Sequence, residues 1–442
     1  MDAKTAKPFA RYGCEKMIYD VRMGPIGMRF RDVIYIVYQA NPSGSEAHPH
    51  IITYDLRDKK WSEPVQIGTV KRYDHHFAPI VWIDRREHIH ALFNCHGAQH
   101  GSIHMVSILP GSIKEWRDAP EIAPSITYPR AVRIYDDKLL LFYRALGHMG
   151  YWTYQISEDG GYSWTPHSIP VIDFDQSPKM DSDTWAGTYH SVCPGKDGRS
   201  LHIAFVYWDE RKGWNPLYKQ KFTSINRHHL YYLRLDIPSG QLFTFEGDRI
   251  ETPVTRERAE KCKIWDTGFR LTNMPSILVG DNDEPFFLMP VSEKTPWECR
   301  FYFIRHNHGE WVKYPVVETN HTWSGSYLAR GKVSALLAYV VVGKVDGETL
   351  SYGGGDIEEW VSVDEGTSWR LNQRIIPEPG LLYNNPRPVE DINGGVIDGF
   401  LLFYGWEGPG SIQTNDGASR TSRLRGKAYL WNDSRGSELS RI

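Results

Sequence analysis

Two stretches decide the fold: Ser157-Glu158-Asp159-Gly160-Gly161-Tyr162-Ser163-Trp164 and Ser362-Val363-Asp364-Glu365-Gly366-Thr367-Ser368-Trp369. Both follow the pattern S-x-D-x-G-x-x-W, and each member has a local reason. The carboxylate can cap the amides of a tight turn, glycine can take a backbone conformation closed to other residues, and the indole can pack against a neighbouring sheet. Each stretch ends an alternating or apolar run, Tyr151 to Ser157 and Glu358 to Val363, so each reads as a turn that closes a strand. Similar aromatic closings stand at Trp61, Trp116, Phe243, Trp311 and Trp431. All seven recur at intervals of roughly 50 to 80 residues, and a repeat of about 40 to 50 residues carrying four short strands is what a propeller blade leaves in sequence. The wider gaps imply long loops.

The expectation is therefore an all-β chain, a seven-bladed β-propeller of four-stranded antiparallel blades. One domain spans residues 1–442, with blades at roughly 18–68, 72–120, 125–170, 185–250, 268–317, 321–372 and 380–432. The strand candidates are short and bounded by Gly, Pro, Asn and Asp, and the chain shows no convincing long helix.

Composition fits stacked sheets. Aromatic residues make up 13% of 442, with 16 Trp and 25 Tyr, which suits large flat side chains between blades. With a formal charge of −3 the chain does not resemble a nucleic-acid binder, which usually shows a strongly basic face. A local cluster of Arg and His can still receive an anion. The five cysteines, Cys14, Cys95, Cys193, Cys262 and Cys299, form no C-x-x-C pair, so neither a disulfide scaffold nor a zinc ribbon is supported. The N-terminus lacks an apolar signal segment, and no apolar run is long enough to span a bilayer. A monomer is expected.

In a four-stranded blade with its first strand at the axis, the start of strand one and the end of strand two share one end of the propeller. That rule gathers His76, His96, Tyr128, Arg144 and Tyr189, with Arg211, Asn273 and Arg387 and the adjacent His75, on one face. Each has a plain alternative: a strand-end histidine is usually a hydrogen-bonding partner, and Arg144 could simply pair with Asp159. The set as a whole is rich in imidazole, phenol and guanidinium. A glycosidase needs two carboxylates across the scissile bond, and Asp74, Asp209 and Glu210 make a poor pair. A β-eliminating lyase needs cations to neutralise a uronate carboxylate, a base for the C5 proton and an acid for the leaving oxygen. One tyrosine with a neighbouring guanidinium can be both base and acid. No cofactor is required by that scheme, since fixed cations supply the electrostatics.

The chain resembles the BNR-repeat seven-bladed propeller polysaccharide lyases, a group that includes ulvan lyases and L-rhamnose-α-1,4-D-glucuronate lyases. The resemblance lies in Asp74-His-His-Phe-Ala-Pro79, His90 to Gly97, Ser125 to Pro129, Leu141-Phe-Tyr-Arg144 with the first turn motif, and His229 to Leu233. The turn motifs look like the Asp-boxes of sialidase-like propellers. As in those lyases, two histidines in one blade precede a tyrosine and then an arginine. The resemblance implies Tyr128 as base and acid, with Arg144, His76 and His96 holding the carboxylate. It implies Tyr189 as a further site residue; His75, Arg211, Asn273 and Arg387, which the strand-end rule places on the same face, are expected to bind substrate. Zn-bearing members have a structural Cys/His site, and no clean ligand set for it is found among Cys262, Cys299, His306 and His308, so a structural divalent metal (Zn or Ca) in this chain is left unassigned.

The implied reaction is cleavage between L-rhamnose and O4 of a D-glucuronate, leaving an unsaturated uronate. The modest charge and the bulky segment Asp209 to His229 favour exo action on a terminal rhamnose over internal cutting of ulvan. An acidic polysaccharide is then the partner, and a secreted or periplasmic location is expected from that substrate. The competing readings are a sialidase-like glycoside hydrolase and a non-catalytic carbohydrate-binding propeller. Met28-Arg29-Phe30-Arg31 and Val132-Arg133-Ile134-Tyr135 lack the F/Y-R-I-P segment a sialidase usually shows.

Overall fold

A computed structural model describes residues 6–11, 24–40, 48–71, 75–97, 101–147, 150–166, 169–174, 186–209, 213–222, 225–331, 334–343, 347, 353–407 and 426–432. Almost all regular structure in it is β, joined by short connections. The chain divides into two units. One comprises Met1–Tyr143, Gln155–His167 and Ile375–Ile442, and the other Arg144–Tyr154 and Ser168–Arg374.

In the first unit, Ile26–Phe30, Val33–Ala40, His48–Asp55 and Lys60–Trp61 pair in sequence order as antiparallel neighbours. A second sheet follows with Ile80–Ile83, Ile89–Phe93, Ile103–Ser107 and Trp116–Asp118. The strand Val33–Ala40 shows why a run such as VIYIVY folds here. Side chains alternate across a strand, and both faces are covered. Ile34, Ile36 and Tyr38 pack with Val389, Leu402 and Leu430. Tyr35 and Val37 pack with Phe77, Val81, Ile83 and Phe93.

The three strands Thr127–Arg133, Leu139–Arg144 and Trp152–Ser157 form the next sheet. In the second unit, Ala186–Pro194, Ser200–Asp209 and Arg227–Asp236 begin a six-stranded sheet, completed by Gln241–Phe243, Arg249–Ile250 and Lys263–Trp265. Two four-stranded sheets follow, from Ser276–Val279 to Glu310–Thr319 and from Ser326–Arg330 to Arg370–Ile375. The rule of two buried faces repeats in Pro285–Ser292. Phe286 and Leu288 pack with Leu328 and Ala338, while Phe287, Met289 and Val291 pack with Tyr232 and Trp265.

Two features depart from the expected blades. The described sheets hold two to nine strands rather than four each. The last sheet also takes its outer strand from the other end of the chain: Ala6–Arg11 pairs antiparallel with Lys427–Asn432. That strand lies outside the expected first blade. A run of six residues far from its partner carries no local sign of where it will pair, because edge pairing is a long-range choice. The same sheet joins Ile26–Phe30 to Leu381–Asp391 in parallel, with Gly27 opposite Val389.

Both turn motifs form as the sequence implies. Asp159 Oδ1 accepts from Ser157 Oγ at 2.8 Å and from the Tyr162 and Ser163 amides at 3.0 and 2.9 Å. Asp364 accepts from Ser362 Oγ at 2.7 Å and the Ser368 amide at 3.0 Å. Each tryptophan donates Nε1–H to its glycine carbonyl at 3.0 Å. The glycines are required twice over. Gly161 has φ +109° and Gly366 φ +87°. A Cβ would stand 2.5 Å from Trp82 Nε1 at the first and 2.1 Å from the Phe303 ring at the second.

Candidate active site

The first cluster is built from three rings in the first unit. His76 sits in the short 3-10 turn His75–Phe77 ahead of Ile80–Ile83. His96 follows Ile89–Phe93, and Tyr128 is the second residue of Thr127–Arg133. The imidazoles of His76 and His96 stack at 3.8 Å with 19° between planes. The Tyr128 ring meets His76 edge-on at 5.4 Å and lies 6.5 Å from His96. His76 and Tyr128 are buried.

The backbone explains the convergence. Asn94 (φ +63°) and Gly97 (φ +77°) turn the chain after Phe93, and the Asn94 amide donates to Phe77 O at 3.4 Å. Gly97 is then tied to the next sheet: its N–H donates to Thr127 Oγ1 at 3.2 Å, and Ser125 Oγ donates to its carbonyl at 3.1 Å. Tyr128 itself has φ +55°. A bulky residue in the left-handed region, immediately before proline, is held there against its local preference. Such strain concentrates where surrounding structure imposes a side chain's direction.

The second cluster lies in the second unit. Arg144, the last residue of Leu139–Arg144, is 1% exposed and places its guanidinium carbon 5.3 Å from the centroid of the Tyr189 ring. Arg227 does the same at 4.1 Å, and also lies 4.8 Å from Trp323 and 5.7 Å from Trp208. Strand register puts these groups together. Trp208 pairs with Gly187 on one side and Arg227 on the other, and Tyr189 is two residues along from Gly187, so all share one face. Gly187 leaves that face open, and the Trp208 and Tyr189 rings close to 5.0 Å. Beside them, His190 takes Thr188 Oγ1 at 2.7 Å. Burial, then the charge of Arg144, hold its pKa well below the ordinary value.

The expected residues sort as follows. His76, His96 and Tyr128 come together, as do Arg144 and Tyr189. Asn273 is buried and serves the second cluster: its Oδ1 accepts from Arg227 Nη1 and from the Met274 amide at 2.9 Å. Arg387 lies on Leu381–Asp391 opposite Leu402, with its Nε beside Gly24. Arg211 and the His75 side chain lie outside the described residues. Arg227 was not anticipated. The long segment after Trp208 hides where the next strand resumes. The apolar run Leu230 to Leu235 marks only its middle, whereas the strand is Arg227–Asp236. No local signal marks it, because only strand register brings Arg227 opposite Trp208.

Among the described residues no group of three or more His, Cys, Asp and Glu could hold a metal ion. Cys95, Cys193, Cys262 and Cys299 are free thiols, and burial pushes Cys262 up to about 12. No helix of the described residues is long and apolar enough to cross a membrane.

Residues 35–319 match the model of the BNR repeat-containing family. The chain is 27% identical over 317 residues to an ulvan lyase of family PL25 from Pseudoalteromonas sp. (strain PLSV), covering 65% of this chain and 62% of that protein. It is 27% identical over 260 residues to an ulvan lyase from Alteromonas sp. (strain LOR), covering 53% and 51%. The matches thus span between half and two thirds of these relatives' lengths. Among solved structures, a PL25 ulvan lyase bound to -[GlcA(1-4)Rha3S]- covers 96% of both chains with a TM-score of 0.76 at 19% identity. The polysaccharide lyase Uly1 covers 97% of this chain with a TM-score of 0.62 at 13% identity.

Proposed function

The chain belongs to the BNR repeat-containing family, and from that premise we propose that it is a polysaccharide lyase, cleaving the linkage of L-rhamnose to a D-glucuronate through O4 by β-elimination, which breaks the glucuronate C4–O4 bond. The same proposal takes its sheets as the blades of a single seven-bladed propeller. The observation that carries it is the Tyr128 phenol, strained at φ +55° and set against two stacked imidazoles. Support comes from the named relatives, which are ulvan lyases. Tyr128 is the second residue of Thr127–Arg133 and Arg144 the last of Leu139–Arg144, two neighbouring strands of one sheet.

In this reading His76, His96 and Arg144 neutralise the uronate carboxylate, which acidifies the C5 proton. Tyr128 as phenolate takes that proton. The C4–C5 double bond forms as the C4–O4 bond breaks, with its electron pair leaving on oxygen. The Tyr128 phenol returns the proton to that oxygen, so the tyrosine ends as it began. A general acid–base residue of this kind contributes about a thousandfold in rate.

The finer form of the proposal is exo action on a terminal rhamnose, suggested by the net charge of −3 and by the hairpin Trp214–Asn215 with Gln220–Lys221. Gum arabic and ulvan separate the two forms. The enzyme is incubated with each, and the ultraviolet absorbance of the unsaturated uronate is followed alongside reducing sugar. Absorbance from gum arabic alone supports exo action, and from ulvan alone the internal cut. Reducing sugar without absorbance would overturn elimination in favour of hydrolysis.

A further inference from the structure

Tyr189 has two cations against it. The guanidinium carbons of Arg144 and Arg227 lie 5.3 and 4.1 Å from one ring centroid, and all three side chains are buried. An aromatic face attracts each cation, but the two cations repel one another, and burial screens that repulsion less than bulk solvent would. An arriving carboxylate is attracted by both charges and offsets that repulsion.

Arg227 is the fixed member of the pair. Trp323 and Trp208 flank its guanidinium, and its Nη1–H donates to Asn273 Oδ1. Asn273 is itself held by the Met274 amide, and the Thr272 amide donates to the Arg227 carbonyl at 2.9 Å. The charge of Arg227 therefore cannot swing away from the ring without breaking a stack and a hydrogen bond.

We infer that Arg227 is a positioning residue for the sugar acid: pinned by Asn273 and two indoles, it acts through the Tyr189 ring to strengthen the hold of Arg144 on a carboxylate. This rests on the lyase reading for the role of Arg144. It assigns Asn273 to the support of Arg227 rather than to the sugar.

The test uses full-length protein carrying Tyr128→Phe, so that ligand is not consumed, and a glucuronate oligosaccharide fraction of ulvan as probe. Binding is followed by tryptophan fluorescence at several salt concentrations, for Arg227 itself, Arg227→Lys and Arg227→Met. The lysine keeps the charge, so Kd should stay within about threefold; the methionine keeps the apolar stem only, so Kd should rise about tenfold and depend less on salt. With Tyr128 restored, the Arg227→Met variant should raise KM by the same factor while kcat changes by less than about threefold. Unchanged Kd in Arg227→Met, or equal losses in both variants, would overturn the inference and leave a purely structural stack. A charge-graded Kd with no unsaturated product from the wild type would keep the inference and remove the lyase reading. Product formation with a flat Kd series would do the reverse.

Discussion

Replacing His104 by glutamine should flatten the acid side of the stability profile. His104 is 3% exposed on the strand Ile103–Ser107. Its Nδ1–H donates to the Pro120 carbonyl at 3.1 Å, which leaves Nε2 bare to accept from His90 Nδ1 at 3.0 Å. Protonating His104 therefore breaks a buried hydrogen bond as well as burying a charge. Burial, followed by the adjacent His90, lowers its pKa from 6.5 to about 4, against a smaller opposing effect of Pro120. The sign follows from where each state takes up the proton. The unfolded chain binds it near pH 6.5 and the native protein only near pH 4. Stability is complete above 6.5 and is lost as pH falls through that window. The full gap is worth about 3 kcal/mol, a large share of a typical folding free energy.

Other groups can be separated from this effect. Asp159 and Asp364 are both held down at about 2. For Asp159, burial opposes the shift and is outweighed by bonds from Ser163, Ser157 and Tyr162; for Asp364 the Ser368 hydroxyl leads. Their contributions are present above the ordinary carboxylate range and vanish only below it. Burial also lowers His90, and lowers His228 to about 4, so the wild-type slope exceeds one proton, and the difference between wild type and variant reports His104 together with the His90 it accepts from. Urea unfolding followed by tryptophan fluorescence, from about pH 7.5 to 4.5, should show the variant's slope smaller by about 1.4 kcal/mol per pH unit. Trp82 stacks on His90 at 5.1 Å and lies 5.2 Å from His104, so it reports locally. Equal slopes in the two proteins would refute a buried neutral His104.

Three further outcomes are expected. Gly366→Ala should destabilise by about 3 kcal/mol, from a positive φ and a Cβ inside the Phe303 ring, read as a drop in melting temperature; a loss under about 1 kcal/mol would mean that the turn relaxes freely. Tyr128→Phe should lower kcat about a thousandfold with KM within a few-fold, and full activity would remove the phenol from proton transfer. Deleting residues 6–11 should leave Lys427–Asn432 as an open edge, lowering thermal stability and promoting association seen by light scattering; an unchanged melting temperature would show that this pairing contributes little.

The sequence determined what local chemistry can determine. The capped turns at Asp159 and Asp364 and the two-faced apolar strands such as Val33–Ala40 were legible. Turn capping depends on residues a few positions apart, and strand alternation on neighbours two apart. Tertiary structure decided what depends on distant pairing: the union of Ala6–Arg11 with Lys427–Asn432, the stacking of His76 on His96, the left-handed backbone of Tyr128, and the meeting of Arg227 with Tyr189, Asn273 and Trp323. Those contacts join positions tens to hundreds of residues apart, where register and loop closure set the partner and no local propensity records it.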